Sequence, residues 1–325
     1  KTTRAGGSRD PDPIMTKYLR LVPALLVSLA TGPAFAQSGE VNVYSYREPG
    51  LIQPLLDKFT AETGIKTNVL FAGDGLLERV AAEGELSPAD VVLTVDIGNL
   101  ANAKDFGITQ TIPAEAQARV PAAYQDPDGQ WIALSLRARV FYASKDRVPE
   151  TALTYEDIAK PEWKGRLCTR SGQHVYNIGL IATRIAHWGV DKTRAIGNTY
   201  YMGLMLNNDA EPEQKTWAAA ARIIYPDPDG DGTQVNVSGA VIAKYAPNQA
   251  NAQKLVEFLL SDEAQHLYAS GNYEFPVVAG VAPSDLVASW GELKADKTPL
   301  TEIAAHRKQA SALVDELRFD EGPQN

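Results

Sequence analysis

Three apolar runs of strand length, each followed by a helical or loop signal, limit what the first hundred residues can build. Val41-Asn42-Val43-Tyr44-Ser45-Tyr46 alternates as a strand and stops at Arg47-Glu48-Pro49-Gly50. Leu51, Leu55, Leu56 and Phe59 then recur at helical spacing as far as Thr63-Gly64, with Pro54 expected in the first turn. Ile65 to Phe71 reads as a second strand, Leu76 to Glu83 as a second helix, and Asp90 to Val95 as a buried strand. Parallel strands need crossover helices of this kind, so the pattern predicts a mostly parallel α/β sheet. Ligands of such sheets settle at the carboxyl ends of strands, here Tyr46-Arg47-Glu48, Gly73-Asp74-Gly75 and Thr94-Val95-Asp96. An Asp or Gly in those places equally makes a turn or caps a helix.

Upstream, Met15-Thr16-Lys17-Tyr18-Leu19-Arg20 is basic, Leu21 to Ala30 is mostly apolar, and Ala34-Phe35-Ala36 is a small-x-small box. Together they predict a secretory signal peptide over residues 15–36, with residues 1–14 outside the fold and a mature start near Gln37. The apolar run is too short to cross a bilayer, and no stable membrane insertion is expected. Removing 36 of 325 residues leaves 289, enough for two modest domains. The removed part holds five basic and two acidic residues, so 26 basic face 38 acidic residues and the mature charge is −12. That balance argues against nucleic acid as a partner. Cys168 is the single cysteine, which excludes an intrachain disulfide. It falls in Gly165 to Arg170, an alternating run read as a strand with a buried thiol.

Further along, Asp126-Pro127-Asp128-Gly129 is a turn, and Trp131 to Tyr142 is a long extended segment carrying Arg137 and Arg139, suited to crossing between domains. Thr154 to Asp157 begins a helix-like stretch that Pro161 to Gly165 breaks. The polar loop Ser171 to Asn177 feeds an apolar helix over Ile178 to Trp188. Asp227-Pro228-Asp229-Gly230-Asp231-Gly232 imitates the start of a calcium loop, but its twelfth position is Ser238 where a bidentate Glu is needed, so it reads as an acidic turn. Val235 to Tyr245 is a strand interrupted at Gly239, Asn248 to Leu260 is an amphipathic helix, and a shorter helix runs through Tyr268 to the Asn272–Pro276 corner. The remainder is helical and charged through Phe319, with a loose tail from Asp320 to Asn325.

The most telling stretch for chemistry is Ala195-Ile196-Gly197-Asn198-Thr199-Tyr200-Tyr201-Met202, where two adjacent phenols follow a Gly-Asn-Thr loop signal. Tyr176 stands at a comparable strand-to-helix junction. A phenolate is a hard anionic oxygen donor, and ferric iron favours such donors once binding removes a proton whose ordinary pKa is about 10. Two tyrosines alone are equally an ordinary amphipathic packing pair.

Taken together, several segments resemble the periplasmic ferric-iron-binding proteins, the substrate-binding components of iron(III) ABC importers. They are Val43 to Pro49, Ser87 to Asp96, Leu136 to Val140, Trp163 to Arg166, Tyr176-Asn177, Gly197 to Tyr201 and Val235 to Gly239. The resemblance covers nearly all of the mature sequence. It implies an α/β, two-lobed periplasmic-binding-protein fold of type II-like topology, each lobe a mixed sheet flanked by helices. The lobes would take residues 37–137 plus about 223–276, and 138–222 plus about 277–325. It further implies Fe(3+) as cargo, with a synergistic anion such as carbonate, and an inner-membrane ABC permease as partner of a periplasmic monomer. Position by position, Tyr176, Tyr200 and Tyr201 match the tyrosinate ligands, and Arg137 matches an arginine that holds anionic charge beside them.

The sequence departs from the pattern twice. Relatives present His-Tyr or His from the first lobe, where this chain has Glu48 and Pro49. Glu48 is the candidate carboxylate ligand there, with Arg47, Tyr46, water or a small anion as the alternatives. Relatives also carry several dozen more residues between Trp188–Lys192 and Ala195, where only Thr193 and Arg194 intervene, so the second lobe is expected to be shortened near 192–195. The competing functions are a same-fold binder of a small organic ion, a nonfunctional truncated paralogue and an exported hydrolase. The last lacks a Gly-x-Ser-x-Gly elbow and a His-Glu-x-x-His motif, so the chain is expected not to be an enzyme.

Overall fold

The computed structural model of the protein describes residues 39–167, 169–197 and 221–321. Its first half builds as the hydrophobic pattern requires. Strand β1 (Glu40–Ser45) leads into helix α1 (Pro49–Thr63), which buries Ile52, Leu55, Leu56 and Phe59 on one stripe. Pro49 takes the first helical position, where its missing N–H costs nothing, so Pro54 falls inside the helix and not in its first turn as the pattern suggested. Gly64 closes the helix in the left-handed region, φ 71°, donating to the Thr60 carbonyl. Strand β2 (Lys66–Phe71), helix α2 (Leu76–Glu83), strand β3 (Val91–Thr94) and helix α3 (Ile97–Asp105) follow, and all four β3 residues are buried.

Among the described residues seven strands form one sheet in the order β2-β1-β3-β8-β5-β9, with β4 (Thr109–Gln110) also on β8. Strand β1 is parallel to β2 and β3. Strand β8 (Val235–Ala243) runs antiparallel to β3, β4 and β5 (Ile132–Ala138), and β9 (Phe275–Pro276) is antiparallel to β5. The sheet is therefore mixed, not mostly parallel. The chain leaves it after β5 and re-enters through β8 at the same end, where Ala138 pairs with Val235. All nine residues of β8 are buried, as befits a strand covered on both faces. The strand runs unbroken through Gly239, and the irregularity its glycine suggested falls in the pairing with β5. A side chain there would meet the Ile132 carbonyl at 2.6 Å and Leu100, and the pairing register of β5 shifts between Ala133 and Ser135 directly opposite.

The antiparallel pair β6 (Phe141–Ser144) and β7 (Ala221–Ile224) forms a second, smaller sheet. Two chain crossings, β5 to β6 and β7 to β8, join it to the first. They lie side by side, with Arg139 N–H donating to the Gln234 carbonyl at 2.8 Å. The buried Tyr155 phenol clips them together, donating to the Arg139 carbonyl at 2.7 Å and accepting from Gln234 N–H at 3.1 Å.

After α4 (Ala114–Gln117) come α5 (Val175–Gly197), α6 (Gln249–Leu259), α7 (Asp262–Gly271), α8 (Asp285–Ala288) and α9 (Leu300–Glu316). The stretch between α8 and α9 is not helical, and the segment around residue 168 is turn and irregular chain, not strand, with position 168 itself outside the described residues. Helix α5 kinks at Gly189, φ 77°, and continues through Thr193 and Arg194 to Gly197. Asp227 to Gly232 is a turn, with Asp227 accepting from Gly230 and Gly232 N–H and its carboxylate near buried Arg184. No helix among the described residues is long and apolar enough to cross a membrane.

Candidate metal centre

Tyr176 is the second residue of α5, one position past its start. His174 caps the helix: its carbonyl accepts from Asn177 and Ile178 N–H, and its imidazole Nδ1 accepts from Tyr176 N–H at 3.2 Å. The imidazole also meets the phenol ring edge-on, centroids 4.7 Å apart. Burial, then the positive charges of Arg170 and Arg139, push His174 down to about 4, so the ring is neutral at neutral pH and free to accept at Nδ1.

Three guanidinium groups surround the same phenol. Arg137 Nη1 donates to the Tyr176 hydroxyl at 3.0 Å. The guanidinium carbons of Arg139, Arg137 and Arg170 lie 4.4, 5.2 and 5.6 Å from the ring centroid. Among the described residues none of the three forms an ion pair with a carboxylate. Burial first, and then the neighbouring charge of Arg137, lower Arg139 to about 10. Arg137 stands on β5 of the large sheet, and its Nη2 donates to the Val95 carbonyl just past β3. Arg139 lies at a chain crossing and Arg170 in the loop before α5, so the cluster assembles from segments 31 residues apart or more.

The remaining candidates stand elsewhere or beyond description. Tyr200 and Tyr201 lie outside the described residues. Glu48 is exposed at the start of α1, its side chain making no capping bond. Tyr46 is buried, its hydroxyl accepting from Leu77 N–H at 2.9 Å at the start of α2, and burial raises its pKa. Arg47 is buried as well. It pairs with Glu274 at 2.6 Å, donates to Ser238 Oγ at 2.7 Å and lies over the Tyr268 ring at 5.2 Å. Its charge is thus directed into the sheet, where it anchors the loop that carries Glu48. Sequence reasoning assigned Arg139, Arg170 and His174 no role at this site; the Arg-x-Arg pair at the end of an extended segment was the available signal.

The bacterial extracellular solute-binding protein family matches residues 44–266. The chain belongs to that family. Iron uptake protein A1 of Synechocystis sp. is 39% identical over 312 positions, taking in 85% of this chain and 86% of that protein. The crystal structure of the apo ferric ion-binding protein A of Pasteurella haemolytica aligns with a TM-score of 0.80 at 43% identity, over 86% of this chain and 98% of the other. A Trichodesmium protein in complex with iron and citrate ligands aligns at 0.79 and 34%, over 86% and 100%. These likenesses fix the two-lobed α/β architecture. The Synechocystis alignment spans 312 positions, yet 85% of 325 residues is only about 276, so about 36 positions have no counterpart here.

Proposed function

We propose that this family member captures ferric iron outside the cytoplasm and hands it to an ABC importer permease. The observation that carries the reading is the half-buried Tyr176 phenol at the start of α5, held by Arg137 and ringed by Arg139 and Arg170. Tyr176 would bind the cargo with Tyr200 and Tyr201, and three phenolates would neutralise Fe(3+). These guanidinium groups, without a carboxylate partner among the described residues, would then take a synergistic anion such as carbonate, since charge-assisted bonds from Arg suit planar oxyanions. Glu48, just past β1, would be the first-lobe carboxylate to approach such a site on closure. The similar proteins, Iron uptake protein A1 and apo ferric ion-binding protein A among them, support the cargo assignment.

The lobes in this reading are residues 37–137 with about 223–276, and 138–222 with about 277–325. The positions without counterpart fall near 192–195, the signal peptide spans 15–36, and the protein acts as a periplasmic monomer without enzymatic activity. The same three arginines favour one alternative, a small organic anion bound without metal. Competition for ferric iron against a chelator separates the two. Tyr176→Phe should weaken iron at least about tenfold, the loss of one charged ligand bond, while barely changing binding of an anion that needs only the arginines. Equal iron affinity in the wild type and Tyr176→Phe would end the reading.

A further inference from the structure

Helix α9 packs a stripe of buried side chains, Leu300, Ile303, Ala310, Leu313 and Val314. Their spacing leaves one position on that stripe, 307, occupied by an arginine. A charge in an apolar seam is retained only with a partner, and Arg307 has a fully buried one. Its Nη1 lies 2.8 Å from Asp96 Oδ2. The same nitrogen donates to the Val175 carbonyl at 3.3 Å, the residue before Tyr176.

The guanidinium has a built seat. It lies against Gly98, so closely that a Cβ there would stand 2.0 Å from Nε and 2.2 Å from the guanidinium carbon, and its Nη1 is 3.7 Å from the place a Cβ would take on Gly179. Asp96 is held rigidly in turn, capping α3 by accepting from Asn99 N–H at 2.9 Å and Gly98 N–H at 3.1 Å. One residue earlier, the Val95 carbonyl takes the Arg137 guanidinium that also binds the Tyr176 hydroxyl. The β3–α3 junction of the large sheet is therefore tied twice to the start of α5, once through the phenol and once through the backbone.

We infer that Arg307 is a positioning residue for Tyr176: seated between Asp96 and the Val175 carbonyl, it fixes the first turn of α5 relative to the β3–α3 junction. This rests on Tyr176 as an iron ligand. Two fixed points, one on the ring and one on the chain beside it, leave the phenol oxygen a single position. Arg307→Lys keeps the charge but not the flat fork that fits against Gly98, and Gly98→Ala lifts the guanidinium while leaving Arg307 in place.

The test uses the purified full chain and three variants, Arg307→Met, Gly98→Ala and Arg307→Met with Tyr176→Phe, each checked for a cooperative unfolding transition. Amide hydrogen exchange of the iron-free proteins is read at residues 176–178. Ferric citrate titrations then give iron affinity. The inference expects exchange at 176–178 to quicken about tenfold in Arg307→Met and Gly98→Ala, with iron affinity falling by a similar factor. In the Tyr176→Phe background Arg307→Met should change affinity no further. Unaltered exchange in either single variant, or an affinity loss that adds fully to that of Tyr176→Phe, overturns it. Should no variant nor the wild type bind iron, the iron reading falls, and the exchange rates still decide whether Arg307 orders the turn.

Discussion

Replacing Arg47 by Met should be among the most damaging single changes in the large sheet. The side chains of Arg47 and Glu274 are 2% and 5% exposed, and their charges meet at 2.6 Å. Burial pushes the Glu274 carboxyl up, but Arg47, Arg137 and the bonds from Arg47 and Ser135 outweigh it and hold it below the usual carboxylate range. Arg47→Met leaves that carboxylate buried with the Ser135 hydroxyl as its remaining hydrogen-bond partner among the described residues. Removing one member of a buried pair costs about 3–5 kcal/mol, whereas replacing both by apolar groups is often neutral. Urea unfolding followed by far-ultraviolet circular dichroism should therefore show a loss of about 4 kcal/mol in Arg47→Met and recovery of most of it in Arg47→Met with Glu274→Met. The pH dependence should change sign as well. In the wild type the folded Glu274 is more acidic than the unfolded one, so its contribution is present above the unfolded pKa and is lost as pH falls through the folded value. In Arg47→Met burial dominates, the folded pKa rises above the unfolded one, and stability falls as pH rises through the unfolded value. A loss under about 1 kcal/mol, or a double variant as unstable as the single one, would refute the burial argument.

Gly232→Ala should destabilise by about 2–4 kcal/mol, because φ is 92° and a Cβ would stand 2.8 Å from Asp296 N and 2.9 Å from the Ala295 backbone; thermal unfolding checks this. Its neighbour Gly230, with no contact closer than 3.9 Å, should tolerate Ala better. His174, pushed down to about 4, binds fewer protons folded than unfolded between that value and about 6.5. Its contribution is complete above the unfolded pKa and is lost as pH falls towards 4, so the iron-free protein should weaken over that window. His174→Gln should flatten the slope, and an unchanged slope would count against the half-buried neutral imidazole.

Much of the architecture was legible because local periodicity decides it. The helix read at Leu76 to Glu83 has the same bounds in the structure, and the runs at Val41 and Asp90 are strands within a residue or two at each end. Strand direction was not legible in this way, since β8 turns antiparallel only because the chain returns from the second sheet. Arg166 to Arg170 alternates like a strand, yet among the described residues no strand pairs with it, and Arg166, Leu167, Thr169 and Arg170 are turn or irregular chain. At the site, Tyr176 and Arg137 were named from a family resemblance, and the structure brings those two together. The pairing of Arg47 with Glu274, 227 residues apart, and of Asp96 with Arg307 depends on tertiary contacts that no local pattern carries. Arg307 did leave a trace, a lone charge on the apolar stripe of its helix.

The central claim is that this chain binds ferric iron through phenolate oxygen. The direct measurement is a titration of the purified protein with ferric citrate, following the visible phenolate-to-iron charge-transfer absorption. The account predicts one saturable band at one iron per chain, weakened and shifted in Tyr176→Phe. A folded protein that remains colourless throughout the titration would contradict it.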